Sequence, residues 1–317
     1  LYKGKLSVSL SSDPGATIRY TTDGSIPTVE NGAVYTEPIE IIGTVVIRAR
    51  AFQAGLQPSD TVTGSYFMEL YHTLDVVSLV CDPDELWNPQ TGLLSEEQDH
   101  SDRNTKNPES DTVQKTDANG NPKLPFRTPV YRSFGKDDRQ GYVEIFSHET
   151  GECYISQGIK MDLLGAYSLD MPQKSFKMRA QAALGGKYFD YPLFEDRPYG
   201  QYKSFALRNS GNDCVFTRVA DGVQTRLVDK YLDANLMTLA WRPVVVYLNG
   251  EYWGHYNLRE RKDRFSIAQY EGLDLEKDKD IYENMTILRA GWGVVQGSNK
   301  EYRAMLTYEY KYFPNDR

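Results

Sequence analysis

The chain has 317 residues, with 44 acidic against 36 basic side chains and a formal charge of −8, which excludes a general nucleic-acid binder and leaves room only for a local basic groove. Its 40% hydrophobic and 25% charged residues are those of globular domains and exclude global disorder. No apolar run approaches the ~20 residues that cross a bilayer, so no membrane span is expected.

The chain begins at Leu1 without an initiator Met or a charged-then-apolar leader, and the expectation is an excised or mature fragment. From Leu6 to Met68 the pattern has period two. Leu6, Val8 and Leu10 alternate with serines, and Val45, Ile47, Ala49 and Ala51 alternate with more polar neighbours, which predicts half-buried strands. Turn signals separate them at Asp13-Pro14-Gly15, Asp23-Gly24, Asn31-Gly32 and Gly43, a spacing that predicts a small antiparallel sandwich. Asp23 can bond backbone donors in its turn, and Gly24 can take positive φ.

The blocks ATIRYTTDGSIPT (16–28), YTEPI (35–39), TVVIRARA (44–51) and GLQPS (55–59) resemble the chitobiase/β-hexosaminidase C-terminal domain. That resemblance implies an accessory β-sandwich common in secreted and surface-attached bacterial proteins, with its boundary at 1–69. It does not imply a catalytic unit. A glycosidase would need two carboxylates flanking one bond, and no such pair can be picked out.

A short strand is predicted at LDVVSLV (74–80). Residues 95–121 then contain no aromatic side chain and only Val113 and Ala118 as apolar ones, too few to offset ordering entropy, so a mobile insertion is expected at about 95–125. Beyond Pro129, strands at 141–146 and 153–155 flank a hairpin turn at 148–152, residues 157–164 extend the sheet, and 174–180 add a strand with Phe176 and Met178 on one face. Within 216–239, Val219, Val223, Leu227, Tyr231 and Leu232 recur at helical spacing around a weak Gly222 and predict a packed helix. Two strands joined by Asn249-Gly250 predict a type I′ hairpin, and a helix is expected over 262–270. GWGVVQG (291–297) has its last glycine one place late for a dinucleotide motif and reads as a loop. The order of elements predicts an α+β fold.

Cys81, Cys153 and Cys214 lie far apart and read as buried single thiols; His72, His100, His148 and His255 do not cluster, and no zinc motif exists. The 23 tyrosines suit stacking surfaces and β-rich cores alike.

Residues 70–317 carry a second resemblance. LDVVSLV (74–80), DELW (84–87), GIK (158–160), GAYS (165–168), PQKSF (172–176), FDYPLF (189–194), KSFALRN (203–209), GND (211–213), Arg242-Pro243, LNGEYWG (248–254) and NLRER (257–261) are similar, in order, to the CotH family of spore-coat-protein-H-type kinases. The resemblance implies an atypical protein-kinase-like α+β domain and phosphate transfer from ATP with Mg²⁺ to Ser or Thr of a coat or surface protein. It also implies an extracellular, cell-surface or spore-coat location in a bacterium.

Phosphoryl transfer needs a cation on the phosphates, an anchor for that cation and carboxylates for metal and nucleophile. Lys174 resembles the family's phosphate-facing lysine, and Glu260 is the candidate for its ion-pair partner. Gly165 and Ser168 stand where a loop would cradle phosphates, although Leu164 occupies the place of the arginine usual in that block. Asn212 and Asp213 are capping types at the head of the predicted helix, and with Arg218 they are also candidates for nucleotide contact. No block before Arg317 resembles the family's acidic segment, so no metal ligand is assigned and the expectation is a fragment retaining the nucleotide-binding part. The alternative expectation is a non-catalytic coat or surface assembly protein that binds cell-wall polysaccharide or partner proteins.

Overall fold

The structure is a computed structural model that describes residues 2–95, 138–165, 167–232, 236–289 and 293–312. Most of the expected insertion at 95–125 lies outside the described residues. The chain divides into two compact units, residues 1–260 and 261–317.

The first unit opens with the expected sandwich. Strands β1 (Leu6–Val8) and β4 (Ile39–Ile41) form one sheet; β2 (Thr17–Thr21), β3 (Ala33–Val34), β5 (Val45–Phe52) and β6 (Val62–Tyr66) form the other, in the order β3-β2-β5-β6. Period-two residues meet between them, with Val8, Ile41, Ile47 and Met68 buried. At the turn after β2, Asp23 Oδ1 accepts from the Ser25 amide (2.9 Å) and hydroxyl (2.7 Å), and Gly24 has φ +90°.

The remainder of this unit is a closed barrel of β7 (Val76–Cys81), β8 (Arg139–Phe146), β9 (Cys153–Leu164), β10 (Ser175–Ala180), β13 (Ser204–Arg208), β14 (Trp241–Leu248) and β15 (Glu251–Glu260). Its neighbours run β10-β13-β15-β14-β7-β8-β9 and back to β10; β7 and β14 are parallel and every other pair is antiparallel. A side pair, β11 (Phe189–Asp190) and β12 (Gln201–Tyr202), lies between β10 and β13 in sequence. Alternation fills the barrel with Val77, Leu79, Ile159, Met161, Phe176, Met178, Phe205, Leu207, Val246, Tyr256 and Leu258. The β14–β15 turn has the predicted geometry, with φ +50° at Asn249 and +87° at Gly250. The sandwich packs on the barrel through Phe67, Val76, Phe146, Val245 and Tyr247, and Ser65 Oγ lies 2.7 Å from Ser78 Oγ.

The α+β expectation is met in part: the fold is mostly β with few helices. The helix expected within 216–239 is confined to α2 (Ala220–Tyr231), after the short α1 (Pro83–Trp87). Its packing face also differs. Val223, Leu227 and Tyr231 are exposed, whereas Gly222 is buried; Arg259 of β15 pairs with Asp221 and donates to Thr225 Oγ1 at 3.1 Å. Gly222 is small because a Cβ there would stand 2.3 Å from the Trp241 ring. Cys81 and Cys214 are buried as expected, but Cys153, at the start of β9, is exposed.

At one edge of the barrel Asp75 accepts from Tyr154 (2.6 Å), from the His148 amide (3.0 Å) and ring (2.8 Å), and from Arg242. Burial opposes ionisation of Asp75, but the Tyr154, His148 and Arg242 donors outweigh it and hold the carboxyl well below its ordinary range.

The second unit comprises α3 (Arg264–Tyr270), α4 (Lys279–Glu283), the hairpin β16 (Ile287–Arg289) with β17 (Gly293–Gln296), and α5 (Lys300–Tyr312). The capping box of Asp263 and Ser266 starts α3 two residues after the expected position. Residues 293–296, expected as loop, form β17; Gly291 and Trp292 lie outside the described residues.

Two outcomes follow. In Gly222→Ala the gain in helix propensity, ~1 kcal/mol, is exceeded by overpacking of about 1–3 kcal/mol, so urea unfolding will show a net loss; equal or greater stability would mean that α2 does not sit on Trp241. For Asp75→Asn, the depressed native carboxyl gives stability present above the unfolded-state pKa and lost as pH falls through the native value. Its deficit against the parent will therefore be constant from neutral pH to about pH 5 and shrink in stronger acid. A deficit independent of pH down to full acid denaturation would refute this.

Candidate functional site

Strand β9 ends at Leu164 and β10 begins opposite it at Ser175, so residues 165–174 form one rim connection of the barrel. Gly165 has φ +141°, and a Cβ there would lie 2.2 Å from Ser168 Oγ. Only glycine allows the tight turn that brings the buried Ser168 hydroxyl against the backbone. Lys174 ends the connection, two residues before core residue Phe176, and is 1% exposed. Its Nζ donates to Met171 O at 3.0 Å, and its carbonyl accepts from the Tyr256 hydroxyl at 2.7 Å. The cation is thus drawn into the barrel end.

A second rim connection, after β13, is tied to the first. Asn209 donates from Nδ2 to Gln173 O (2.6 Å), exchanges bonds with Ser175 Oγ (2.8 and 2.9 Å) and accepts from the Gly211 amide (2.9 Å). Asp213 accepts from the Thr217 amide (3.1 Å) and hydroxyl (2.7 Å) and from the Ala220 amide (3.0 Å). It therefore caps the head of α2, and the Thr217 bond heads the causes that lower its pKa. Asn212 is exposed. Arg218 is half-buried with φ +63°; its carbonyl accepts from Ser210 Oγ and from Asn257 Nδ2 (2.7 Å), and its guanidinium donates to Gln173 Oε1 at 2.8 Å. Burial and then the Arg218 charge push the His255 imidazole below its ordinary value.

Gly165, Ser168, Lys174 and Arg218 therefore share the rim at one end of the barrel, whereas Glu260 does not. Register pairs place Phe176, Leu207 and Leu258 in one layer, and Met178, Phe205 and Glu260 two residues further along. Lys174 lies two residues on the other side, about 13 Å from the Glu260 level at ~3.3 Å per residue. Glu260 instead receives Arg197 Nε (2.9 Å), the Ala240 amide (3.1 Å) and the Tyr199 hydroxyl. Burial disfavours the Arg197 charge, yet the Glu260 carboxylate prevails and raises it. The expected Lys174–Glu260 partnership is replaced by this pair because an apolar layer separates the two ends.

Sequence reasoning missed Arg197, Asn209, Gln173 and Asn257. Gln173, Asn209 and Asn257 stood inside recognised blocks, but no spacing marks residues that meet only across a barrel rim. Among the described residues no group of three or more His, Cys, Asp or Glu side chains converges to hold a metal ion.

With this geometry in place, the chain matches two known families. Residues 162–313 match the family model of the CotH kinase protein, and residues 1–63 match that of the chitobiase/beta-hexosaminidase C-terminal domain. No curated protein matches the chain. The CotH match takes in the whole rim, Glu260 and almost all of the second unit.

Because removal of one member strands a buried charge, Arg197→Ala is expected to cost about 3–5 kcal/mol. Denaturant unfolding measures it, and a loss below about 1 kcal/mol would show that Glu260 does not depend on this partner.

Proposed function

We propose that this chain carries the nucleotide-binding part of an atypical, CotH-type protein kinase at a bacterial surface or spore coat. A kinase of this type transfers the terminal phosphoryl group of ATP to Ser or Thr of a coat or surface protein. The observation that supports this most is a cation, Lys174, buried at the rim beside a glycine turn, within the segment that matches the CotH kinase family. A triphosphate offers anionic acceptors of the kind that an ammonium and a glycine turn at a rim can receive.

In this reading Lys174 neutralises phosphate charge from the barrel side and Arg218 from the second rim connection. The bare backbone of Gly165 admits a phosphate oxygen closely, and Ser168 adds a hydroxyl. Asp213 contributes by fixing the loop that carries Arg218. Lys174, Arg218 and Gly165 fit a triphosphate; no described residue is assigned to Mg²⁺, which when bound would neutralise the transferring phosphoryl group.

Calorimetry tests the reading directly. The parent chain should bind ATP saturably, and Lys174→Ala should weaken binding at least about tenfold, the worth of one charge-assisted bond. Unchanged affinity in that variant removes Lys174 from the site. A second reading, a non-catalytic coat or wall-binding protein, draws on an open groove of about 880 Å³ on the sandwich, where Leu10, Ile18, Ala49 and Ala51 are flanked by Asp13 and Arg50. Binding of cell-wall polysaccharide without binding of ATP would favour it.

A further inference from the structure

Arg218 sits in the left-handed region, a conformation that costs a non-glycine residue about 1–3 kcal/mol and persists only where its surroundings over-determine it. Here they do. The Arg218 amide donates to Asp213 O at 3.2 Å, and its carbonyl takes the two donors from Ser210 and Asn257. Its guanidinium donates to Gln173, the residue immediately before Lys174.

Gln173 is itself locked. Its Nε2 donates to His255 O at 2.9 Å, which leaves Oε1 to face Arg218; its backbone carbonyl accepts from Asn209 Nδ2. The room for this amide comes from Gly254, at φ +122°, where a Cβ would stand 2.9 Å from Gln173 Nε2. The Tyr256 phenol, whose hydroxyl donates to Lys174 O, lies within the influence of both groups: burial raises its pKa, while Gln173 and Arg218 act in the opposite direction. Gln173, Arg218 and the Lys174 backbone thus meet at one point of the rim.

We propose that Gln173 is a positioning residue that aims the Arg218 guanidinium at the triphosphate site beside Lys174. The proposal rests on the nucleotide-binding reading above. A neutral acceptor suits the task, because a carboxylate in the same place would hold the guanidinium and also cancel its charge. Gln173 orients Arg218 while leaving the whole positive charge available to an anion.

The experiment is calorimetric titration of the chain with ATP and with inorganic tripolyphosphate, accompanied by thermal melts, for Gln173→Glu, Gln173→Leu, Arg218→Ala and the Gln173→Leu/Arg218→Ala double variant. Gln173→Glu gains an ion pair with Arg218 but loses the donor to the His255 carbonyl, so the melts need only show that it is folded; it should bind both probes about tenfold more weakly, and Gln173→Leu should lose a similar factor. In the Arg218→Ala background Gln173→Leu should add no further loss, since its effect passes through the missing guanidinium. Parent-like affinity in Gln173→Glu, or a Gln173→Leu loss that is the same with and without Arg218, overturns the positioning role while leaving the site intact. If the parent chain binds neither probe, the nucleotide-binding reading fails, and this inference fails with it.

Discussion

Closure of the barrel is the constraint on which the rest of this unit depends. Once β7 pairs in parallel with β14 and β9 pairs with β10, the sheet has no free edge, and every second side chain points into an enclosed apolar interior. Charged groups on those inward positions can survive only at the two ends. Lys174 occupies one and Glu260 the other, with the Phe176, Leu207 and Leu258 layer between. Each end then recruits its own polar partners: the Met171 carbonyl at the Lys174 ammonium, and Arg197 with Tyr199 around Glu260. Low dielectric makes each of these bonds strong and each missing partner costly.

The same closure explains why α2 presents an unexpected face. The outer surface of β13–β15 beneath it carries Arg208, Asn257, Arg259 and the Trp241 ring, so the helix docks with Asp221, Gly222 and Thr225. A close approach to Trp241 matters more at this position than the propensity lost at Gly222. The apolar stripe that the 3.6-residue period identified is real, but it faces away from the barrel.

Much of the fold was legible because short-range physics governs it. Period-two alternation and Asn249-Gly250 specify strands and a hairpin within a few residues, and Asp23 with Gly24 specifies a turn by its own hydrogen bonds. The helix expected within 216–239 begins only at Ala220, because the Asp213 network and the left-handed Arg218 hold residues 216–219 in a loop. Of the site, the blocks holding Gly165, Ser168 and Lys174 could be picked out by resemblance, Arg218 was marked only by its place at the head of the predicted helix, and the fold gathers all four at one rim.

By itself, then, the amino-acid order determined the strands, their tight turns, the two modules and the residue types able to meet phosphate. These follow from backbone sterics and alternation over a few positions. Only the tertiary structure decided which charge meets which. Strand register across the barrel sets the distance between Lys174 and Glu260, gives Glu260 to Arg197, and brings Gln173 to Arg218 across 45 residues of chain. Those pairings depend on which strands become neighbours when the sheet closes, and local sequence carries no record of that choice.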